Sequence, residues 1–468
     1  MKPFDLIIGA ALGVGLAACA SVETQDDLAS VADTAPAKLV EDSGLDIVVH
    51  EGDFAEIQQF TTPGGVSVWL VSEPSIPILS VAMAWEGGEA ADPEGLEGLA
   101  DAVVYHMNEG AGDLDSLAFQ TRMEDLNMSF GCSASSDWTS CSASMLTDNA
   151  DEAMSLVAQA FEAPRFDAGP FARFQREREV SLNTRETNAR YLAGRAEAQA
   201  IYPDHPYARE TSAESIAALT PELAKAHMRK LMVKDSLIVT AVGAITPEEL
   251  APMLDAIAES LPESNDLPET PEITFTVDGA FEPVLIDLPQ PQSLVRFLAP
   301  GLKREDPDFF TAYVVNYTYG GGGFGSRLME SLRVQKGLTY GVYTWLSFDD
   351  TYQNWGGSGQ TKNESVGEFV EALLAETALI AEEGITAEEL ADAKAYLTGS
   401  YPLAFDSNAK IAGQMMSVRQ DELGVDYFDR RNALIEAVTL EDANRVAAEF
   451  LQPDRFSFIM VGQPEGLD

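Results

Sequence analysis

Tyr319-Gly-Gly-Gly-Gly-Phe-Gly-Ser-Arg-Leu-Met-Glu-Ser-Leu-Arg-Val-Gln-Lys-Gly-Leu-Thr-Tyr340-Gly-Val-Tyr343 sets a glycine run ahead of a short helical segment and a strand. The run lacks the Gly-Lys-Ser/Thr ending of a phosphate loop, so it reads as the turn that lets a helix start close to a sheet. Arg333 falls on the helix and Tyr340 opens the strand seven residues later. A guanidinium and a phenol are hydrogen-bond donors suited to a peptide carbonyl or to the oxyanion that develops when one is attacked. On spacing alone, a surface ion pair and a half-buried strand aromatic explain the two better.

Working outward, the chain repeats itself. Ala218-Leu-Thr-Pro-Glu-Leu-Ala224 matches Ala437-Val-Thr-Leu-Glu-Asp-Ala443, and Leu237-Ile-Val-Thr-Ala-Val-Gly243 matches Phe456-Ser-Phe-Ile-Met-Val-Gly462, both at an offset of 219 residues. A constant offset over a helix and the strand that follows indicates two homologous domains. The joint lies in the Pro-rich stretch Leu261–Pro271, unsuited to helix or central strand. Val66–Val71, Ile78–Trp85, Ser293–Leu298 and Leu338–Tyr343 read as strands, the second pair occupying places comparable to the first. Hairpins and sequential Ala/Glu/Leu-rich helices favour an α+β architecture, each domain a mainly antiparallel sheet covered by helices. The boundaries that follow are a signal peptide over 1–18, a flexible acidic tether over 19–51, a first domain over 52–262, a linker over 263–273 and a second domain over 274–468.

The stretch Gly98-Leu-Ala-Asp-Ala-Val-Val-Tyr-His-Met107 resembles the first active-site helix of the pitrilysin/insulinase peptidase family, whose H-x-x-E-H motif binds zinc. The three motif positions fall on Asp101, Val104 and Tyr105. Valine is no general base and tyrosine is a poor zinc ligand, so no catalytic residue is expected in this chain and no metal site. The histidines support this independently: His50, His106, His205 and His227 include no pair within one helical turn. His106 sits one residue past the second ligand position, turned about 100° from it, and reads as a core or interface histidine. The family's third ligand, a glutamate about 75 residues on, falls in Arg176-Glu177-Arg178-Glu179, on a helix that also carries Glu186; a solvated helix face explains these carboxylates better than a relic ligand. The stretch from Tyr319 resembles the family's C-terminal-domain signature, in which an arginine and a tyrosine face the zinc across a chamber and contact substrate; Arg333 and Tyr340 match them. The resemblance covers about residues 52 to 465 and implies a clam-shell arrangement of the two domains. It also implies the substrate-binding, non-catalytic role in a heterodimeric zinc peptidase, with zinc supplied by a homologous partner subunit. A stand-alone peptide-binding or assembly protein of the cell envelope is the alternative, and an autonomous metallopeptidase with a rebuilt site a further one.

With 76 acidic against 29 basic residues the formal charge is −47, which excludes nucleic acid and anionic membrane surfaces as electrostatic partners. It fits either a solvated acidic surface or an acidic chamber that attracts basic peptides. Lys2, the apolar run Leu6–Leu16 and Leu16-Ala-Ala-Cys19 form an export signal too short to stay as a spanning helix. Leu-Ala-Ala-Cys resembles the bacterial lipobox, which implies lipidation of Cys19. The expectation is a lipoprotein facing the periplasm and attached, through its lipid only, to the outer membrane. Cys132 and Cys141 then remain: if Ser136-Asp137 is a hairpin turn the two face each other, as a disulfide or as two thiols.

Overall fold

The structure is a computed structural model that describes residues 38–40, 44–52, 54–271, 273, 281–349 and 352–467. The signal peptide and Cys19 lie outside the described residues. Eight strands form the first sheet: β1 (Lys38–Val40), β2 (Ile47–Glu51), β3 (Glu56–Thr61), β4 (Ser67–Ser72), β5 (Ile78–Glu86), β6 (Ser129–Ala134), β7 (Trp138–Leu146) and β8 (Ile238–Gly243). The second has five: β9 (Val284–Asp287), β10 (Gln292–Pro300), β11 (Thr339–Asp349), β12 (Tyr352–Lys362) and β13 (Ser457–Gly462). The first runs β1-β2-β3-β4-β8-β5-β7-β6 and the second β11-β12-β10-β13-β9.

Read from opposite ends, β4-β8-β5-β7-β6 and β9-β13-β10-β12-β11 are one pattern. In each, a parallel pair joins first and last strands, β4 with β8 and β9 with β13, and the remaining pairs are antiparallel. The 219-residue repeat therefore describes a whole sheet topology. Thr220 and Thr439 each cap the next helix, accepting from Leu223 N and Asp442 N, and those helices, Pro221–Leu231 and Leu440–Phe450, lie 219 apart at both ends. Strand equivalence differs in detail from the sequence expectation. Ser293–Leu298 takes the place of Ile78–Trp85, but Leu338–Tyr343 takes that of β6. The counterpart of β4 is β9, a four-residue strand of half-exposed Val284 and Ile286 alternating with exposed residues, too short and mixed to stand out as an apolar run.

The folded part also begins earlier than Gly52. β2 inserts Ile47 and Val49, both buried, beside β3, so two strands stand where the composition reads as tether. The signal there is two inward residues at period 2, too brief to register against acidic surroundings. In the β6–β7 hairpin Cys132 is paired with Cys141 and their sulfurs are bonded.

Each sheet buries one face under helices of its own half. Val68, Leu70, Val81, Met83 and Trp85 pack against Val103, Val157 and Leu254 in the first, and Val295 and Phe297 against Val314, Phe369 and Val446 in the second. Each such side chain contributes roughly 1.5–3 kcal/mol. The opposite faces are covered by exchange. Helix Asn408–Gln420 of the second half lies on the first sheet, where Ala412, Met415 and Val418 meet Ile57, Val71 and Val242. Helix Ala189–Ile201 of the first half lies on the second sheet, where Leu192, Ala193 and Ala196 meet Leu294, Leu298, Ile459 and Val461. These helices are repeat equivalents at the same offset (189 to 408, 201 to 420). Polar bonds fix both contacts: Arg419 donates to the Ser67 and Val239 carbonyls at 3.0 and 2.7 Å, and Arg296 pairs with buried Glu197.

Candidate functional site

The helix Leu99–His106 begins at Gly98, whose φ of 95° favours glycine and which offers no capping side chain. Its orphan amides go instead to Asp92, whose carboxylate accepts from Gly98, Leu99 and Ala100 at 2.8, 2.9 and 2.8 Å. His227 Nε2 stands 3.1 Å from the same carboxylate. Asp101 and Tyr105 then turn toward helix Ala168–Arg185. Asp101 receives both arms of Arg178, Nη2 at 2.8 Å and Nε on the other oxygen. Tyr105 Oη accepts from Arg173 Nε at 3.0 Å, and Arg173 reaches Glu109 at 2.6 Å. Val104 is buried. These bonds hold the Arg178 and Arg173 guanidiniums more firmly protonated, and burial pushes the Tyr105 phenol up.

His106 is fully buried, its Nδ1 2.7 Å from the Ala102 carbonyl oxygen and its ring packed on Phe166, Phe171 and Phe174. Burial lowers its pKa. It is a core histidine. Among the later carboxylates Glu186 is taken by Arg195 at 2.9 Å, Glu177 approaches Tyr105, and Glu179 is exposed.

In the second half the glycine run does what its sequence suggests. A Cβ on Gly320 would fall 2.6 Å from Thr344 Oγ1, so only glycine lets the turn lie against β11. One π-helical turn, Tyr317–Gly321, runs into the glycines and a second, Met329–Gln335, follows them. The two arginines of the stretch part company. Arg327 is anchored, both arms on Glu389 at 2.7 Å and one on the Gly384 carbonyl. Arg333 makes no ion pair among the described residues; its guanidinium lies 4.4 Å from the centroid of the Phe324 ring, which is itself exposed. Tyr340 is 82% exposed. Register along β11–β12 slips between Thr339 (opposite Thr361) and Val342 (opposite Gly359), placing Tyr340 in a bulge, a device that re-aims a side chain. Thr339 Oγ1 pins the bulge by donating to the Gln360 carbonyl at 2.6 Å, and Val342 N meets Met329 Sδ at 3.4 Å, tying strand to π turn.

Residues 67–213 match the insulinase (peptidase family M16) domain and residues 218–397 the peptidase M16 inactive domain. The chain belongs to the insulinase (M16) peptidase family. A non-peptidase homolog, YmxG, from Helicobacter pylori is 28% identical over 331 residues, 70% of this chain and 76% of that one. A mitochondrial-processing peptidase subunit beta from Blastocladiella emersonii is 21% identical, covering 86% and 88%. The solved structure of a peptidase M16 inactive domain from Pseudomonas fluorescens superposes with a TM-score of 0.80 at 26% identity, over 87% of this chain and 98% of that one.

The family's zinc does not fit this M16 chain's motif helix. Asp101 is engaged by a guanidinium, Val104 offers no donor atom, and the phenol of Tyr105 is bonded to a second guanidinium. Two fixed positive groups stand where a cation would be held. No cluster of three or more His, Cys, Asp and Glu suited to a metal occurs among the described residues. No helix among them is long and apolar enough to cross a membrane. Sequence reading missed three contributors: Asp92, which caps the motif helix from outside it; Phe324, which lies against Arg333; and the bulge. Phe324 alone carried a signal, an aromatic inside a glycine run.

Proposed function

We propose that this chain is the substrate-holding, non-catalytic subunit of a two-subunit zinc peptidase, and that it lacks hydrolytic activity by itself. The observation that carries the reading is Arg333 and Tyr340, exposed donors with no side-chain hydrogen bond or ion pair among the described residues, Arg333 resting only on the Phe324 ring, in a chain whose motif helix has given its polar groups to arginines. Donors of this kind, solvated and not committed to the fold, are free to bind a ligand at little cost. Arg333 would hold a peptide carbonyl or carboxylate before reaction, and Tyr340 would donate to the oxyanion as it forms. Zinc and the water-activating carboxylate would come from a homologous partner. The reading places the complex in the periplasm, anchored at the outer membrane through Cys19; a Cys19→Ser variant that fractionates with the membrane at unchanged mass would remove that anchor.

The deciding assay mixes the pure chain with a homologue that has an intact H-x-x-E-H motif. The chain alone should cleave no peptide and hold no stoichiometric zinc, while the mixture should cleave faster than the homologue alone. Unchanged rates in the mixture, or about one tightly held zinc per chain with chelator-sensitive cleavage in this chain alone, would sink the proposal.

A further inference from the structure

Helix Ala189–Ile201 covers the second sheet with one face, and with the other it lines a cavity of about 380 Å³ beside Asp101. Five guanidiniums line that cavity: Arg178, Arg185, Arg190, Arg195 and Arg209. A chain with only 29 Lys and Arg against 76 acidic residues thus gathers five of its cations in one place. Three carboxylates also line it, Glu89, Asp101 and Glu210, and a fourth, Glu186, reaches Arg195 from outside, so the guanidiniums still outnumber the carboxylates by one. Burial, with the charges of Asp101 and Asp92, raises the pKa of Glu89 against the opposing pull of Arg185 and Arg178.

The guanidiniums are unequally engaged. Arg178 is committed to Asp101, and Arg195 lies 2.9 Å from Glu186 and 3.7 Å from Glu210. Arg185 and Arg190 have no carboxylate partner among the described residues, and Arg209 donates only to the Asp92 carbonyl at 2.9 Å. The Tyr191 ring centroid is 5.1 and 5.9 Å from the Arg185 and Arg195 guanidiniums, and its hydroxyl donates to Glu210 at 3.0 Å, so the ring positions Arg185 without neutralising it.

We propose that this cavity is a carboxylate site that receives one acidic group of a bound peptide, its C-terminus or an Asp or Glu side chain. Guanidinium forks match a carboxylate in a bidentate way that ammonium groups do not. The volume suits one or two residues, and the chain's overall charge of −47 repels a polyanion while tolerating a single carboxylate. The inference rests on the peptide-holding reading above for the identity of its ligand. It adds a second point of attachment in the first half of the molecule.

The test measures binding of one fluorescent peptide to the full chain in four forms: free C-terminus, amidated C-terminus, internal Glu replaced by Gln, and both changes together. The carboxylate form that is used should bind at least tenfold more tightly than the doubly neutral peptide, and the two single changes identify which carboxylate it is. Arg185→Gln with Arg190→Gln should abolish the difference; neither residue is in an ion pair among the described residues and Arg185 loses only its contact with the Tyr191 ring, so the fold should be kept, as circular dichroism would verify. Equal binding of all four peptides, or discrimination that survives in the double variant, overturns the site. Inorganic phosphate competing as tightly as the peptide overturns the peptide assignment. The peptide-holding reading is judged separately, by whether Arg333→Ala weakens the doubly neutral peptide.

Discussion

The two stretches of this chain that resemble the family's motifs use their polar side chains in opposite ways. In the first half, the polar residues at the motif positions are turned inward onto Arg173 and Arg178, and the helix has become part of a packed, charge-matched wall. In the second half, Arg327 performs the structural service while Arg333 and Tyr340 stay uncommitted on a π turn and a bulge. The polar side chains at the motif positions are thus satisfied within the fold. Without the arginines the half-buried Asp101 and Tyr105 would lack protein partners, at a cost below the roughly 1–3 kcal/mol of a fully buried polar group. The guanidiniums remove that cost.

The sharpest way to break this contrast is Tyr340→Phe. In a mixed complex with a zinc-bearing homologue it should lower turnover by about 10²–10³-fold, the roughly 3–4 kcal/mol of a lost oxyanion donor, while subunit association and thermal stability are unchanged. Wild-type turnover would make the tyrosine structural. Arg178→Ala should do the reverse. It strands Asp101, and because the pair is about 30% exposed on either side the loss should be discounted to about 2 kcal/mol of stability, read as a lower denaturant midpoint. A variant with an unchanged midpoint would mean the wall is not held by this pair.

Zinc affinity sharpens the same point. Asp101→His with Val104→Glu and Tyr105→His should bind zinc poorly while Arg178 is present, and adding Arg178→Gln should tighten it at least tenfold, measured by competition with a chromogenic chelator. Indifference to Arg178 would remove the guanidinium from the argument. The smallest effect concerns acid. Burial depresses the pKa of His106 below its ordinary 6.5, so on acidification the unfolded chain takes up a proton that the folded chain refuses. Its contribution is therefore present above pH 6.5 and is lost as pH falls toward the folded value. His106→Phe should flatten the stability profile between neutral and mildly acidic pH; an identical slope in both proteins would refute the assignment.

Much of this was legible in the chain. The 219-residue offset predicted two like halves because repeated caps and strands keep their spacing when surface residues drift, as Thr220 and Thr439 do. Arg333 and Tyr340 were singled out because the stretch from Tyr319 resembles the family's signature, whereas spacing alone favoured a surface ion pair and a half-buried aromatic. Other features were hidden for physical reasons. The pattern Leu192, Ala193 and Ala196 announces a buried helix face but not which sheet covers it. A bulge is one extra residue in a pairing register, and register is a property of two strands. The arginine cavity draws on helices and loops from Glu89 to Thr211, so no local window contains it.

The exchanged helices make this molecule one indivisible object. Each half has lent the other a layer of its wall, so neither can be cut away without exposing Ile57, Val71 and Val242 on one side or Leu294, Ile459 and Val461 on the other. A protease nick between Pro262 and Phe281 should leave a particle that still migrates as a single species, and either half expressed alone should aggregate. Two genes, each carrying one half, would have to be expressed together to yield either.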